Sequence, residues 1–266
     1  VLDIVNISKT FNPGTVNEKK ALSGVSLHME RGDFATIVGS NGAGKSTLFN
    51  AIAGGFITDQ GSISLAGRDI TYEAEYRRSR QMGHLFQDPM RGTAPHMTIE
   101  ENMALAYLRA GKSQRAYFSR VSKADKAAFR EQLARLGMGL EDRMRQSVGL
   151  LSGGQRQALA LLMATMVPPD LLLLDEHTAA LDPETADKVL TLTREIVAGG
   201  NITCLMVTHN MKNALELGNR TLMMDSGRIV LDVGGEARKN MTVEELLVQF
   251  KENVGKGLDN DRILLS

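Results

Sequence analysis

The chain has 266 residues, 42% apolar and 23% charged, an ordinary globular composition long enough to bury its own core. Its 31 basic and 31 acidic side chains cancel, which argues against a broadly basic nucleic-acid surface. One cysteine, Cys204, excludes an internal disulfide framework, fits a reducing compartment and reads as a core residue in the apolar run 202–207.

Alternating apolar and polar residues over 2–8 and 22–29 predict half-buried strands, and the apolar run 34–38 a buried one. A glycine-rich stretch then leads into a helix over 45–53. Short strands are expected over 62–65 and 82–86, after which the texture turns helical. Thr98 and Glu101 have the spacing of a capping box, opening a helix to about 109. A charged helix over 122–136 ends at Gly137 and Gly139, and its charge reads as a solvated face. The longest apolar run, 158–167, is stopped by Pro168, Pro169 and Asp170, far short of the roughly 20 residues a membrane helix needs. No signal-peptide pattern is visible in the first residues.

From 171 the pattern returns to strand and helix in alternation. Strands are expected over 171–174, 202–207, 221–224 and 228–233. Asp182 and Pro183 supply an N-cap and a first-turn proline for a helix ending near 199, and a short helix follows over 211–217. Thr242 and Glu245 form a second capping box, for a helix to about 251. Short apolar strands between helices predict an α/β fold with a mostly parallel sheet. The domain expectation is an α/β core over 1–87 and 168–253, an inserted helical subdomain over 88–167, and a C-terminal tail over 254–266.

Three segments carry chemistry. Gly39, Ser40, Asn41, Gly42, Ala43, Gly44, Lys45 and Ser46 match G-x-x-x-x-G-K-[ST], between a strand and a helix. Glycines let backbone N–H groups wrap phosphate oxygens, the helix start favours negative charge, Lys45 reaches the β- and γ-phosphates and Ser46 ligates Mg²⁺. The strand over 171–174 ends in Asp175 and Glu176; Asp175 is placed to hold Mg²⁺, and Glu176 is the candidate base for an attacking water. Together these predict a nucleoside-triphosphate hydrolase. The third segment, Ser152, Gly153, Gly154 and Gln155, opens a helix with a second anion-binding tip that has neither lysine nor metal ligand. Its economical use is on the γ-phosphate of a nucleotide bound to another subunit.

In these segments and their order, over about residues 1–235, the sequence resembles the ATP-binding subunits of ATP-binding cassette (ABC) transporters. The resemblance implies a P-loop NTPase core with an N-terminal antiparallel portion, and adds site residues. Leu151 to Gln155 matches the family signature, Gln87 the Q-loop residue that reaches Mg²⁺, and Ala180, Leu181 and Asp182 the D-loop. His209 matches the switch histidine and Phe11 the aromatic that stacks on adenine, while Thr47 extends the phosphate loop. The implied activity is ATP hydrolysis with Mg²⁺, in a homodimer closing around two ATP molecules, peripheral to the cytoplasmic face of a membrane. The implied partners are separate transmembrane permease subunits, with a groove beside Gln87 and 88–110 receiving them; they contact the solute, and no nucleic acid is expected. The pattern around Thr98 to Glu101 and over 175–182 is similar to bacterial amino-acid-type importers. The alternative is an ABC ATPase of an envelope or cell-division complex that moves no solute. Translation-type members carry two cassettes and repair-type members a coiled-coil or zinc insertion, neither of which is present in this sequence. His177 departs from the small residue or proline many members carry after the base, and a titratable ring there is a candidate influence on pH dependence.

Overall fold

The computed structural model describes residues 1–88, 90–110 and 122–254. Of the expected tail, 255–266 lies outside them. The described chain forms two compact units, one of Val1–Ser79 with the residues from Asn201 onward, the other Arg80–Gly200.

The first unit opens with β1 (Leu2–Phe11), β2 (Lys19–Met29) and β3 (Phe34–Gly39), then α1 (Lys45–Ala53), β4 (Gln60–Leu65), β5 (Arg68–Asp69) and α2 (Glu75–Arg78). The second contains β6 (Met82–Leu85), α3 (Ile99–Ala110), α4 (Lys123–Ala134), a 3₁₀ turn (Val148–Leu150), α5 (Gly153–Thr165), β7 (Leu171–Asp175) and α6 (Pro183–Gly200). The first unit resumes with β8 (Cys204–Val207), α7 (Met211–Glu216), β9 (Arg220–Asp225), β10 (Arg228–Gly234), α8 (Gly235–Lys239) and α9 (Val243–Val254). The α/β class with an N-terminal antiparallel portion is the one expected from the sequence.

In the first unit, β2, β1, β4 and β5 lie side by side and antiparallel. A second layer runs β10-β9-β3-β8, with β3 parallel to both of its neighbours. All six residues of β3 are buried, so it reads as a continuous apolar run, as a strand covered on both faces must. Val38, Met211, Met223, Leu246 and Phe250 form a core cluster in which α7 and α9 meet the sheet.

In the second unit, β6 and β7 are parallel, in register from Met82 opposite Leu171 to Leu85 opposite Leu174. Its helices bury Ile99, Met103, Phe129, Leu133, Leu159 and Leu162 in one cluster. The expected capping boxes form: Glu101 accepts from the Thr98 N–H at 2.7 Å, and Glu245 from the Thr242 N–H at 2.8 Å. A further box at Ser122 and Asp125 was not anticipated, because Asp stands where the pattern has Glu or Gln.

Two differences from the sequence reading have physical causes. β1 runs past residue 8 to Phe11, because a bulge with Asn6 at φ 52° slips the alternation between Ile4 and Ile7. The elements β5, α2 and α8 were not expected; each has five residues or fewer, too few for a period to be read.

Candidate functional site

In the first unit, the phosphate-loop sequence is held between two regular elements. β3 delivers Gly39 at the C-terminal end of a parallel strand, the end where open α/β sheets place ligands. Gly42 (φ 84°) and Gly44 (φ 104°) adopt left-handed backbone that other residues rarely take. Gly44 is the N-cap of α1, and no side chain caps that helix. By contrast α4 and α5 both start with a full capping box. The first-turn N–H groups of α1 therefore take no side-chain cap, in a loop whose Asn41, Gly42 and Ser46 are exposed. Lys45 is 5% exposed, and its Nζ curls onto the Gly39 carbonyl at 2.7 Å and the Ser40 carbonyl at 3.1 Å. A positive charge thus sits inside the loop.

His209 belongs to the same end of this sheet. β8 runs parallel to β3 with Val207 opposite Ile37, and the Thr208 N–H donates to the Ile37 carbonyl at 3.1 Å. His209 therefore leaves its strand beside the one that feeds the loop, and Asn210 caps α7 behind it. Phe11 ends β1 half-buried, edge-on to Phe56 with ring centroids 5.4 Å apart. Lys9 lies 5.8 Å from the Phe11 ring and 5.4 Å from that of Phe56, and its Nζ pairs with Asp59 at 2.8 Å.

In the second unit, the parallel pair β6 and β7 brings three candidates to one end. Gln87 follows Leu85 by two residues and Glu176 follows Leu174 by two, while Asp175 ends β7. Leu171 to Leu174 are fully buried, whereas Asp175 and Glu176 are half-buried, so the carboxylates begin where the core stops. Glu176 adopts φ 46°, a left-handed conformation uncommon for a non-glycine residue. His177 turns the other way. It is 2% exposed, and its Nε2 lies 3.1 Å from Oγ1 of Thr193 on α6. The Thr193 hydroxyl donates to the Val189 carbonyl at 2.8 Å, so Nε2 must be the donor to Thr193, and Nδ1 has no partner. Burial lowers the His177 pKa to about 4, so the ring stays neutral near physiological pH and the suggested titration beside the base is not supported.

The third cluster is the tip of α5. The Gln155 N–H donates to the Ser152 hydroxyl at 3.2 Å, and Gln155 Oε1 accepts from the Ser152 N–H at 3.3 Å. Gln155 therefore completes the cap, leaving exposed Ser152 and Gly153 at the helix's positive end. Asp182 caps α6, accepting from the Thr185 N–H at 3.1 Å. Arg156 was not singled out in the sequence, yet it donates to the carbonyls of Val148, Gly149 and Leu151, fixing the turn that leads into Ser152. Nothing in its sequence context separates it from a solvated arginine.

The candidate metal ligands Ser46, Gln87 and Asp175 offer oxygen donors only, the chemistry Mg²⁺ prefers. Among the described residues no group of three or more His, Cys, Asp or Glu could hold a metal by itself.

Comparison with known proteins bears on these three clusters. The family profile described as ABC transporter matches residues 22–179. The tyrosine transport ATP-binding protein of Clostridioides difficile (strain R20291) is 42% identical over 252 residues, covering 94% of this chain and 99% of the relative. The methionine import ATP-binding protein MetN of Rhizobium etli is 37% identical over 233 residues, covering 86% of this chain and 60% of the relative. Among solved structures, the dimeric bacterial ABC transporter cassette MJ0796 superimposes with a TM-score of 0.73 at 25% identity, over 88% of this chain and 98% of that one.

Proposed function

The chain belongs to the ABC transporter family, and from that premise we propose how its residues divide the work of an ATP-hydrolysing subunit that powers transport with separate membrane subunits. The observation that carries the division is the presence of two different phosphate grips. The tip of α1 has a buried lysine and no side-chain cap, while the tip of α5 is fully capped and offers exposed Ser152 and Gly153. One nucleotide has no need of both from a single copy, and two copies arranged head to tail use each once.

In this reading the backbone from Gly39 to Thr47 wraps the β- and γ-phosphates, Lys45 neutralises them and Phe11 stacks on adenine. Ser46, Asp175 and Gln87 would hold Mg²⁺. When bound, the ion would neutralise charge on the phosphate oxygens. Glu176 orients and deprotonates the attacking water, and His209 holds the γ-phosphate during cleavage. Ser152, Gly153, Gly154 and Asp182 close on that phosphate from the partner copy, with Gln155 keeping their helix tip formed. ATP then acts as glue between copies, and hydrolysis removes the group both copies hold, so the pair opens.

The nucleotide core is assigned to 1–87 with 168–253, and the insert to 88–167, where the elements described are helices. The solute is assigned to the amino-acid class, supported by the tyrosine transport relative, which matches over nearly its whole length. The chain works on the cytoplasmic face, where ATP is supplied; no described helix is long and apolar enough to cross a membrane.

The test is Glu176→Gln with Mg·ATP. Loss of the base is expected to lower turnover by at least about a hundredfold while ATP binding persists. On size-exclusion chromatography the 29.0 kDa chain should then move to a dimer position. Wild-type turnover in this variant would remove Glu176 from its role.

A further inference from the structure

The two signature glycines are not equivalent. A Cβ built on Gly153 would lie 3.3 Å from Cδ2 of Leu181, a contact that a small shift relieves. A Cβ on Gly154 would lie 2.0 Å from Cγ2 of Thr185, about half the normal separation of two carbon atoms. Gly154 is buried although Ser152 and Gly153 beside it are exposed. The first turn of α6 therefore fills the notch where a side chain of α5 would stand.

Thr185 cannot simply swing aside. The Asp182 carboxylate accepts from the Thr185 N–H at 3.1 Å, and the Thr185 hydroxyl beside it helps hold that carboxyl below its ordinary range. A β-branched side chain is stiff at χ1, so a hydroxyl kept beside Asp182 keeps the methyl turned toward Gly154. Asp182, Thr185 and Gly154 thus form one mechanical chain from the D-loop to the signature tip.

We propose that Thr185 is a positioning residue: its backbone N–H on Asp182 and its methyl in the Gly154 notch hold the signature tip and the D-loop aspartate as one body, presented together to the partner copy's nucleotide. The proposal rests on the reading that Ser152 to Gln155 and Asp182 act across the dimer. It follows that Gly154 is a glycine because Thr185 occupies its side-chain space, and not because phosphate must approach it. The second glycine then becomes replaceable when the methyl facing it is removed.

The experiment compares Gly154→Ala, Thr185→Ser, the double variant and Thr185→Val. It measures steady-state ATPase against ATP concentration, binding of a fluorescent ATP analogue to the isolated chain, ATP-driven dimerisation in a Glu176→Gln background, and thermal unfolding. Gly154→Ala should lower kcat by roughly a hundredfold, the scale of an ångström misplacement, while the chain still binds the analogue. Adding Thr185→Ser, which deletes the opposing methyl but keeps a hydroxyl and the N–H on Asp182, should restore at least about tenfold of that loss, along with dimerisation. Thr185→Val keeps a methyl in the notch and the N–H on Asp182 but removes the hydroxyl beside that carboxylate. It should lower kcat by about tenfold with little change in KM or melting temperature, a split that a purely structural role would not give.

A double variant as inactive as Gly154→Ala, though folded, would show that the phosphate itself requires the glycine and would overturn the inference while leaving the cross-dimer reading intact. Wild-type ATPase in Gly154→Ala would overturn it as well. Loss of analogue binding by folded Gly154→Ala chains would instead sink the cross-dimer reading on which it rests. Should Gly154→Ala alone fail to fold, the double variant and Thr185→Val still decide the matter.

Discussion

Arg78 is 1% exposed, and burial pushes the pKa of its guanidinium down. Its Nη1 donates to the carbonyls of Ala51 and Ile52 at 2.8 Å, Nη2 to Thr71 at 2.9 Å and Nε to Glu73 at 2.9 Å. Ala51 and Ile52 lie in the last turn of α1, where carbonyls lack helical partners and the dipole favours a cation. Arg78 therefore anchors the far end of the helix whose near end carries Lys45. Arg78→Met fills much of the volume but leaves four carbonyls, three of them buried, without their donor, and should cost about 3–5 kcal/mol in urea unfolding. Arg78→Lys keeps the charge without the planar fork and should recover only part of that. A Met variant within experimental error of wild type would mean that water replaces the donors. None of this was legible in the sequence: Arg77, one position earlier, lies over the ring of Tyr76 at the surface, and two adjacent arginines look alike until the fold separates them. The residues of the phosphate loop, β7 and the signature were legible because their chemistry needs fixed types at fixed spacings. The left-handed backbone of Glu176 was not, because at a non-glycine position it leaves no mark on residue type.

Among the elements, α6 shows how one helix face can serve two purposes. Thr185, Val189 and Thr193 recur every fourth position and so share a side of the helix. Thr185 meets the tip of α5, and Thr193 two turns later holds the imidazole that follows Glu176. The His177 ring thus ties the end of β7 to a rigid helix. Thr193→Val preserves the shape but leaves the buried Nε2–H without an acceptor, and should cost about 1–3 kcal/mol in chemical unfolding. Because the neighbouring carboxylate loses its anchorage, kcat should fall with KM nearly unchanged. An unaltered kcat alongside reduced stability would confine this hydrogen bond to the core. The helix itself was readable from Asp182 and Pro183 to the glycines near 199, since caps and breakers are local signals. Its partners were not, since neither the Gly154 notch nor the His177 bond involves residues close in sequence. The unexpected α2 and α8 lie at the opposite limit, where too few residues form a periodic pattern.

At the scale of the whole molecule, the reading makes each catalytic centre the joint property of two chains, and symmetry supplies a test with no counterpart in a single copy. In a twofold dimer, Lys45 of one copy faces Ser152 of the other, and the reverse holds at the second centre. Lys45→Ala disables the centre of its own chain, and Ser152→Arg the centre of its mate, so either variant alone loses both centres of its homodimer. In a mixed pair both lesions fall on the same centre, and the other is built entirely from native parts. Equal mixing makes about half of all pairs mixed, so turnover should recover toward about a quarter of the wild-type value if the centres work independently. Recovery must rise with the mixed fraction and vanish when either variant is diluted out. The chain carries 31 charges of each sign, so no net charge repulsion stands in the way of pairing. Activity that stays flat across all mixing ratios, in samples where mixed pairs are demonstrated by differential tagging, would contradict independent shared centres. A Ser152→Arg protein active by itself would remove the signature helix tip from the chemistry altogether.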